Sequence, residues 1–269
     1  MKKSTITMAV LAVIFITFMA ACSDESTVMP TSTSNPTSTS TTTGTTTTSS
    51  GTTSLELFKK IYGATEVYIE GSYAIIKTNG LPDHKSPYYK DTQWASTQYE
   101  VYNGTNTKFG LNPNRIAAQS LVFKIPISPV KATKSSATPG GPIGVSLNGV
   151  PFFNQYAAMN APLTDEINGF DQYGGHPQQQ GQYHYHIEPT YLTAKKGKDA
   201  LLGFLLDGFP VYGPLENGKS VTNADLDVYH GHSHATTDYP TGIYHYHITD
   251  ADPYLNGNGF YGTAGTVSK

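Results

Sequence analysis

The sequence predicts a mainly β fold: a single domain built from an internal two-fold repeat of hairpin plus His-rich strand, β-sandwich or barrel-like, with few short helices. Three observations predict it. Gly and Pro are frequent (26 and 17), Tyr is abundant (19), and no window longer than about a dozen residues keeps a helical period. Three Asn-Gly or Asp-Gly turn signals sit between short apolar runs. The tetrad Tyr-His-Tyr-His is written twice, starting at Tyr183 and at Tyr244, 61 residues apart.

The chain opens with Lys2 and Lys3 and runs apolar from Met8 to Ala21, which has the build of a signal peptide rather than a membrane span. Met19-Ala20-Ala21-Cys22 resembles a bacterial lipoprotein signal, with residues 1–21 removed and Cys22 lipidated; an ordinary secretory leader is the plainer reading. Cys22 is the one cysteine, so disulfides are excluded and any metal must be held by imidazole, carboxylate or backbone oxygen. Residues 22–54 are dominated by Ser and Thr and read as a disordered tether. Ser23-Asp24-Glu25 resembles a surface-export signal. Together these lead to the expectation of a protein of the bacterial cell envelope, lipid-anchored at the outer membrane and surface-exposed. Removing Lys2 and Lys3 with the leader takes the formal charge from −3 to −5. With no basic stripe in the folded part, nucleic acid is not an expected partner.

The folded domain is expected at 55–269, with a short helix at Leu55–Gly63 and a second candidate at Lys195–Leu202. Hairpins with type I′ turns are expected at Ile75–Pro82, Gly144–Phe153 and Gly203–Tyr212. The last two share Gly-x-x-Leu-(Asn/Asp)-Gly-x-Pro-x-(Phe/Tyr). Each is followed by Asp-x-Tyr-x-Gly-His, at Asp171–His176 and Asp227–His232, and then by a tetrad. The same order twice defines repeats at about 143–192 and 202–255.

Successive strand residues face opposite ways, so His184 and His186 share one face, as do His245 and His247, while the tyrosines look into the core. Two imidazoles at i and i+2 lie about 6.6 Å apart at Cα and can converge on one ion. His176 and His232 supply a further ligand in each repeat. Asp171, Asp227, Asp207 and His84 are alternative ligands or outer partners of the histidines. Asp207 and His84 also have a plain reading as turn residues, and His230 and His234 read as surface-loop residues or at most extra ligands. The two tetrads meet at one shared site or build two; a shared site is the favoured arrangement.

These residues resemble the YHYH domain family, named for the tetrad. The resemblance rests on "NGLPDH", "GPIGVSLNGVPFFN", "GGHP", "LLDGFPVYGP", "GH" at Gly231-His232 and "GIYHYH", and covers about Tyr68–Gly262. It implies a secreted or surface-anchored protein and no particular reaction. Many relatives carry cysteines near the Gly-His elements, where Tyr173 and Tyr229 stand here. The expected function is a divalent transition-metal site, with zinc or copper leading and iron also suited, serving a hydrolase or an oxidoreductase. The competing expectation is a non-catalytic surface module whose tyrosines contact a polysaccharide, a protein or a small extracellular molecule. A metal-free His-Asp acid/base site ranks last, because no nucleophile motif accompanies the histidines.

Overall fold

A computed structural model describes residues 51–269; the leader, Cys22 and the tether up to residue 50 lie outside the described residues. Helix α1 (Leu55–Phe58) starts where Ser54 caps the Leu57 N–H. It ends well before Gly63, shorter than expected. The folded chain begins earlier than residue 55: Thr53 is buried, and its N–H donates to the Ile127 carbonyl at 2.7 Å.

Strands β1 (Ala64–Glu70) and β2 (Tyr73–Thr78) follow, joined through Gly71 and Ser72. The expected hairpin at Ile75–Pro82 does not form. Asn79 Oδ1 accepts the Leu81 N–H and Thr78 Oγ1 accepts the Gly80 N–H, which turns the chain off the sheet. Strand β2 pairs instead with β1 before it and with β3 (Leu121–Pro126) far after it. A one-turn helix, α2 (Ala95–Gln98), lies in the long connection.

Strands β4 (Gly144–Ser146) and β5 (Pro151–Phe152) form the first motif hairpin, and β6 (Gly175–Pro177) and β7 (Tyr183–Tyr185) carry the first Gly-His and tetrad. Helix α3 (Thr190–Lys196) precedes the expected Lys195–Leu202 helix and stops at Gly197, whose φ is +107°. Leu201–Leu205 is instead strand β8, buried along its length, which pairs with β9 (Pro210–Tyr212). The arm β10 (Leu215–Glu216) and β11 (Lys219–Ser220) stands apart as a two-stranded sheet. Then come β12 (Gly231–His234), β13 (Ile243–His247) and β14 (Thr266–Ser268).

Both motif hairpins turn differently from the expected type I′. Only Gly149 and Gly208 have positive φ (+79° and +87°), not Asn148 or Asp207. The Gly149 N–H bonds the Ser146 carbonyl and the Ser146 N–H bonds the Val150 carbonyl, a three-residue loop closed by a glycine bulge. Leu205, Gly208 and Phe209 repeat the pattern. Glycine is needed for space as well, since a Cβ on Gly208 would come within 2.4 Å of the Pro126 carbonyl.

Among the described residues the result is three sheets and no closed barrel, which corrects the barrel-like alternative. The four-stranded sheet runs β1-β2-β3-β14 and the eight-stranded sheet runs β12-β13-β9-β8-β4-β5-β7-β6. The larger sheet has the same pairing types read from either end. An antiparallel edge pair (β6–β7, β12–β13) leads to a parallel pair (β7–β5, β13–β9), then to the hairpin, with β4–β8 at the centre. Phe123 and Ile125 from one sheet and Val145, Phe152, Phe204 and Val211 from the other join one hydrophobic core. The Gly63 N–H to the Leu147 carbonyl and the Gly265 N–H to the Leu206 carbonyl tie the smaller sheet to the two hairpin loops.

Candidate metal centres

The tetrads alternate as the sequence predicts. Tyr183, Tyr185, Tyr244 and Tyr246 are buried among apolar residues, and their hydroxyls are spoken for. Tyr183 donates to Asp171 (2.8 Å) and Tyr244 to Asp227 (2.8 Å). Each aspartate also accepts backbone N–H groups from its own turn, Tyr173 and Gly175 in one case, Tyr229 and Gly231 in the other. The glycine of Asp-x-Tyr-x-Gly-His is required by this arrangement. A Cβ on Gly175 would lie 2.5 Å from the Tyr183 ring, and one on Gly231 would lie 2.5 Å from the Tyr244 hydroxyl.

The second tyrosine of each tetrad reaches its own hairpin loop. Asn148 Nδ2 donates to the Tyr185 hydroxyl at 3.1 Å, and Tyr246 donates to Asp207 at 2.6 Å. Asp207 is wholly buried; burial pushes its pKa up to about 6 against the lowering effect of Tyr246 and the Gly262 and Phe209 N–H groups. His84 is buried beside Tyr185. Its Nδ1–H donates to the Lys85 carbonyl, so Nε2 accepts from the Tyr185 hydroxyl at 3.1 Å. Asp171, Asp227, Asp207 and His84 therefore serve the tyrosine side of the strands and join neither histidine cluster.

The histidine side forms two clusters, one at each edge of the eight-stranded sheet. This corrects the shared site favoured from sequence: the parallel pairings send the tetrad strands β7 and β13 to opposite flanks of the hairpins. The first cluster is Glu166, His176, His184 and His186, and the second is Glu216, His232, His234, His245 and His247; each could hold a metal ion. Cross-strand register sets both, with His176 opposite His184 and His232 opposite His245.

In the first cluster, His184 Nδ1 donates to the Gln182 carbonyl (3.1 Å) and His186 Nδ1 to the Asn154 carbonyl (2.6 Å). Carbonyls only accept, so both Nε2 atoms carry lone pairs when the rings are neutral, and these atoms lie 3.0 Å apart. His176 Nε2 stands 3.1 Å from Glu166 Oε1. Burial, reinforced by neighbouring imidazoles, holds His184 well below the usual histidine range and His186 at about 4. Burial alone would raise Glu166, but the hydrogen bond and charge of His176 outweigh it and the carboxyl is lowered. Phe153 stacks on His184 (3.8 Å between centroids), and the Phe170 ring is parallel to His186.

The second cluster repeats the device. Nδ1 of His234, His245 and His247 donates to the carbonyls of Ala235, Ile243 and Gly213. Four Nε2 atoms then surround Glu216 Oε1: His232 at 3.5 Å, His247 at 3.6 Å, His245 at 3.8 Å and His234 in closest contact. Nε2 of His245 and of His247 is buried without a hydrogen-bond partner. Burial brings His245 down to about 3 and also lowers His232 and His247.

Three features escape the sequence reading. His234 is a full member of the second cluster, because the β12 alternation puts it on the face of His232. Its counterpart after Gly175-His176 is Gln178, so the repeat gave no signal for it. His230 is buried, not on a surface loop, and bonds Thr249. The carboxylates Glu166 and Glu216 come from the 3-10 turn Glu166–Gly169 and from β10, at positions the two motifs do not share.

Neither a curated protein nor a solved structure matches the chain. The profile of the YHYH protein family matches residues 122–220 and 215–259. It begins at β3 rather than at Tyr68, and it spans both hairpins, both Gly-His elements, both tetrads and just over half of the chain. Every residue of the two clusters lies inside it, and the chain belongs to the YHYH protein family.

Proposed function

We propose that the chain is a metal-binding protein with two centres, each holding one divalent transition ion. His176, His184, His186 and Glu166 hold one; His232, His234, His245, His247 and Glu216 hold the other. The observation that carries this reading is the fixed tautomer. Five ring Nδ1–H groups are committed to backbone carbonyls, which leaves bare Nε2 atoms crowded against one another. A cation among them removes that repulsion. Ligand nitrogens around a tetrahedral ion with 2.0–2.1 Å bonds lie about 3.3 Å apart, close to the spacings found here.

An imidazole and carboxylate set without thiolate suits zinc, copper or non-haem iron, with zinc and copper preferred. A bound ion of this kind supplies an acidified water for hydrolysis or, with copper or iron, a redox centre. X-ray absorption of the metal-loaded protein tests the ligand set: three or four imidazoles per ion support it, and an oxygen-only shell refutes it.

The mirrored strand pairings and the matched registers around His176 and His232 support an internal duplication as the origin of the two centres. We assign Cys22 as the lipid anchor of a surface-exposed bacterial outer-membrane protein acting on a small extracellular or polysaccharide ligand. Loss of radiolabelled-lipid incorporation in Cys22→Ala supports the anchor, and unchanged labelling refutes it. The competing stacking role for the tetrad tyrosines lacks support, because all four are buried.

A further inference from the structure

The two centres adjoin cavities of different character. Beside His184 and His186 lies a cavity of about 550 Å³ whose walls are largely uncharged side chains such as Gln178, Gln180, Gln182 and Asn154. Its charged lining groups are Glu166, itself in the cluster, and Lys269, and a second cavity of about 480 Å³ at His176 and Glu166 adds Lys108 and Asp165, one charge of each sign. Beside His234, His245 and His247 lies a cavity of about 720 Å³ with three cations, Lys59, Lys60 and Lys196, and three carboxylates, Asp199, Glu216 and Asp238.

Those charges are not equally free. Lys60 pairs with Asp238 at 2.6 Å, and Lys59 pairs with Glu56 outside the cavity. Lys196 stands over the Tyr62 ring, its Nζ 4.9 Å from the centroid, and Glu216 is enclosed by four imidazoles. A dication held by the histidines would consume the Glu216 charge and leave the chamber net positive, with Asp199 as the remaining offset.

Polar groups also differ at matched positions. Phe153 closes the first hairpin motif, and Tyr212 closes the second. The Tyr212 hydroxyl meets Thr236 (2.8 Å), a further lining group of the larger cavity, and Asp238 (3.0 Å). Glu216 itself belongs to the two-stranded arm β10–β11, outside both large sheets, so its carboxylate is the ligand least fixed by the scaffold.

We propose that the centre at His232, His234, His245 and His247 takes a small oxyanion, phosphate-like or carboxylate-like, which enters the 720 Å³ cavity and displaces Glu216 from the ion. Lys196 supplies countercharge. The centre at His176, His184 and His186 takes no such ligand. This rests on the two-metal reading above and adds which centre meets an external ligand.

The test loads the full-length protein with Co2+ alone and titrates inorganic phosphate while the cobalt ligand-field bands are recorded. The bands should shift in wild type and in a His184→Ala/His186→Ala variant, and stay fixed in His245→Ala/His247→Ala. Lys196→Ala should retain cobalt and weaken phosphate by up to about fivefold. Shifts that survive in His245→Ala/His247→Ala with cobalt still bound, or no shift in wild type that holds two cobalt ions, overturn the oxyanion site while leaving the two-metal reading intact. A protein that binds no cobalt overturns both.

Discussion

The Nε2 atoms of His184 and His186 stand 3.0 Å apart, and both rings present their Nδ1 to a backbone carbonyl. Two neutral imidazoles so oriented turn lone pairs toward each other. A shared proton would relieve the contact, but burial disfavours imidazolium at both rings. Removing either carbonyl contact by peptide editing is impractical, but the rings can be exchanged. His186→Gln keeps a polar atom near the site and should cost the first centre its ion, while the second centre keeps its own. Metal analysis after dialysis checks this.

Gly175→Ala should destabilise the fold by roughly 1–3 kcal/mol, because the new methyl is driven into the Tyr183 ring. Gly231→Ala should behave alike against Tyr244. Thermal unfolding of the two variants checks the prediction; unchanged midpoints would show that the rings can move aside.

Tyr246→Phe removes the closest donor to the buried Asp207 carboxylate, at a cost of roughly 1–3 kcal/mol. Adding Asp207→Asn should recover part of the loss, since the buried charge is then gone. A double-mutant cycle by chemical denaturation measures the coupling, and strictly additive losses would contradict it.

The metal-free protein should lose stability as pH falls from about 6.5 toward 4. The buried histidines bind protons only below their lowered values, about 4 for His186 and His230 and about 3 for His245, whereas the unfolded chain binds them near 6.5. In that window the unfolded state holds more protons, so stability rises with pH and falls with acid, by roughly 3 kcal/mol at pH 4 for His186 alone. Asp207 opposes this, because its raised value favours the folded state on acidification below about 6. Seven lowered histidines outweigh one carboxyl. Unfolding midpoints of chelator-treated protein across this range check the sign.

The tetrads and the Asp-x-Tyr-x-Gly-His elements could be read from sequence because strand alternation is a local rule. It puts His184 with His186 and Tyr183 with Tyr185 whatever the rest of the chain does. The parallel pairings β5–β7 and β9–β13 were not legible, since nothing in a short strand names a distant partner. Those pairings are what separate the clusters. Glu166 and Glu216 were invisible for a related reason: each reaches its cluster through a loop or arm placed by tertiary packing, not by the repeated motif. The type I′ expectation failed because each loop has three residues rather than two, so Asn148 and Asp207 keep negative φ and only the following glycine takes positive φ.

Metal stoichiometry is the most direct test of the account. Untagged full-length protein, reconstituted and dialysed, should carry two equivalents of transition metal by elemental mass spectrometry. The His184→Ala/His186→Ala and His245→Ala/His247→Ala variants should each carry one. No bound metal after reconstitution, or a single equivalent abolished by either pair of substitutions, would contradict two independent histidine centres.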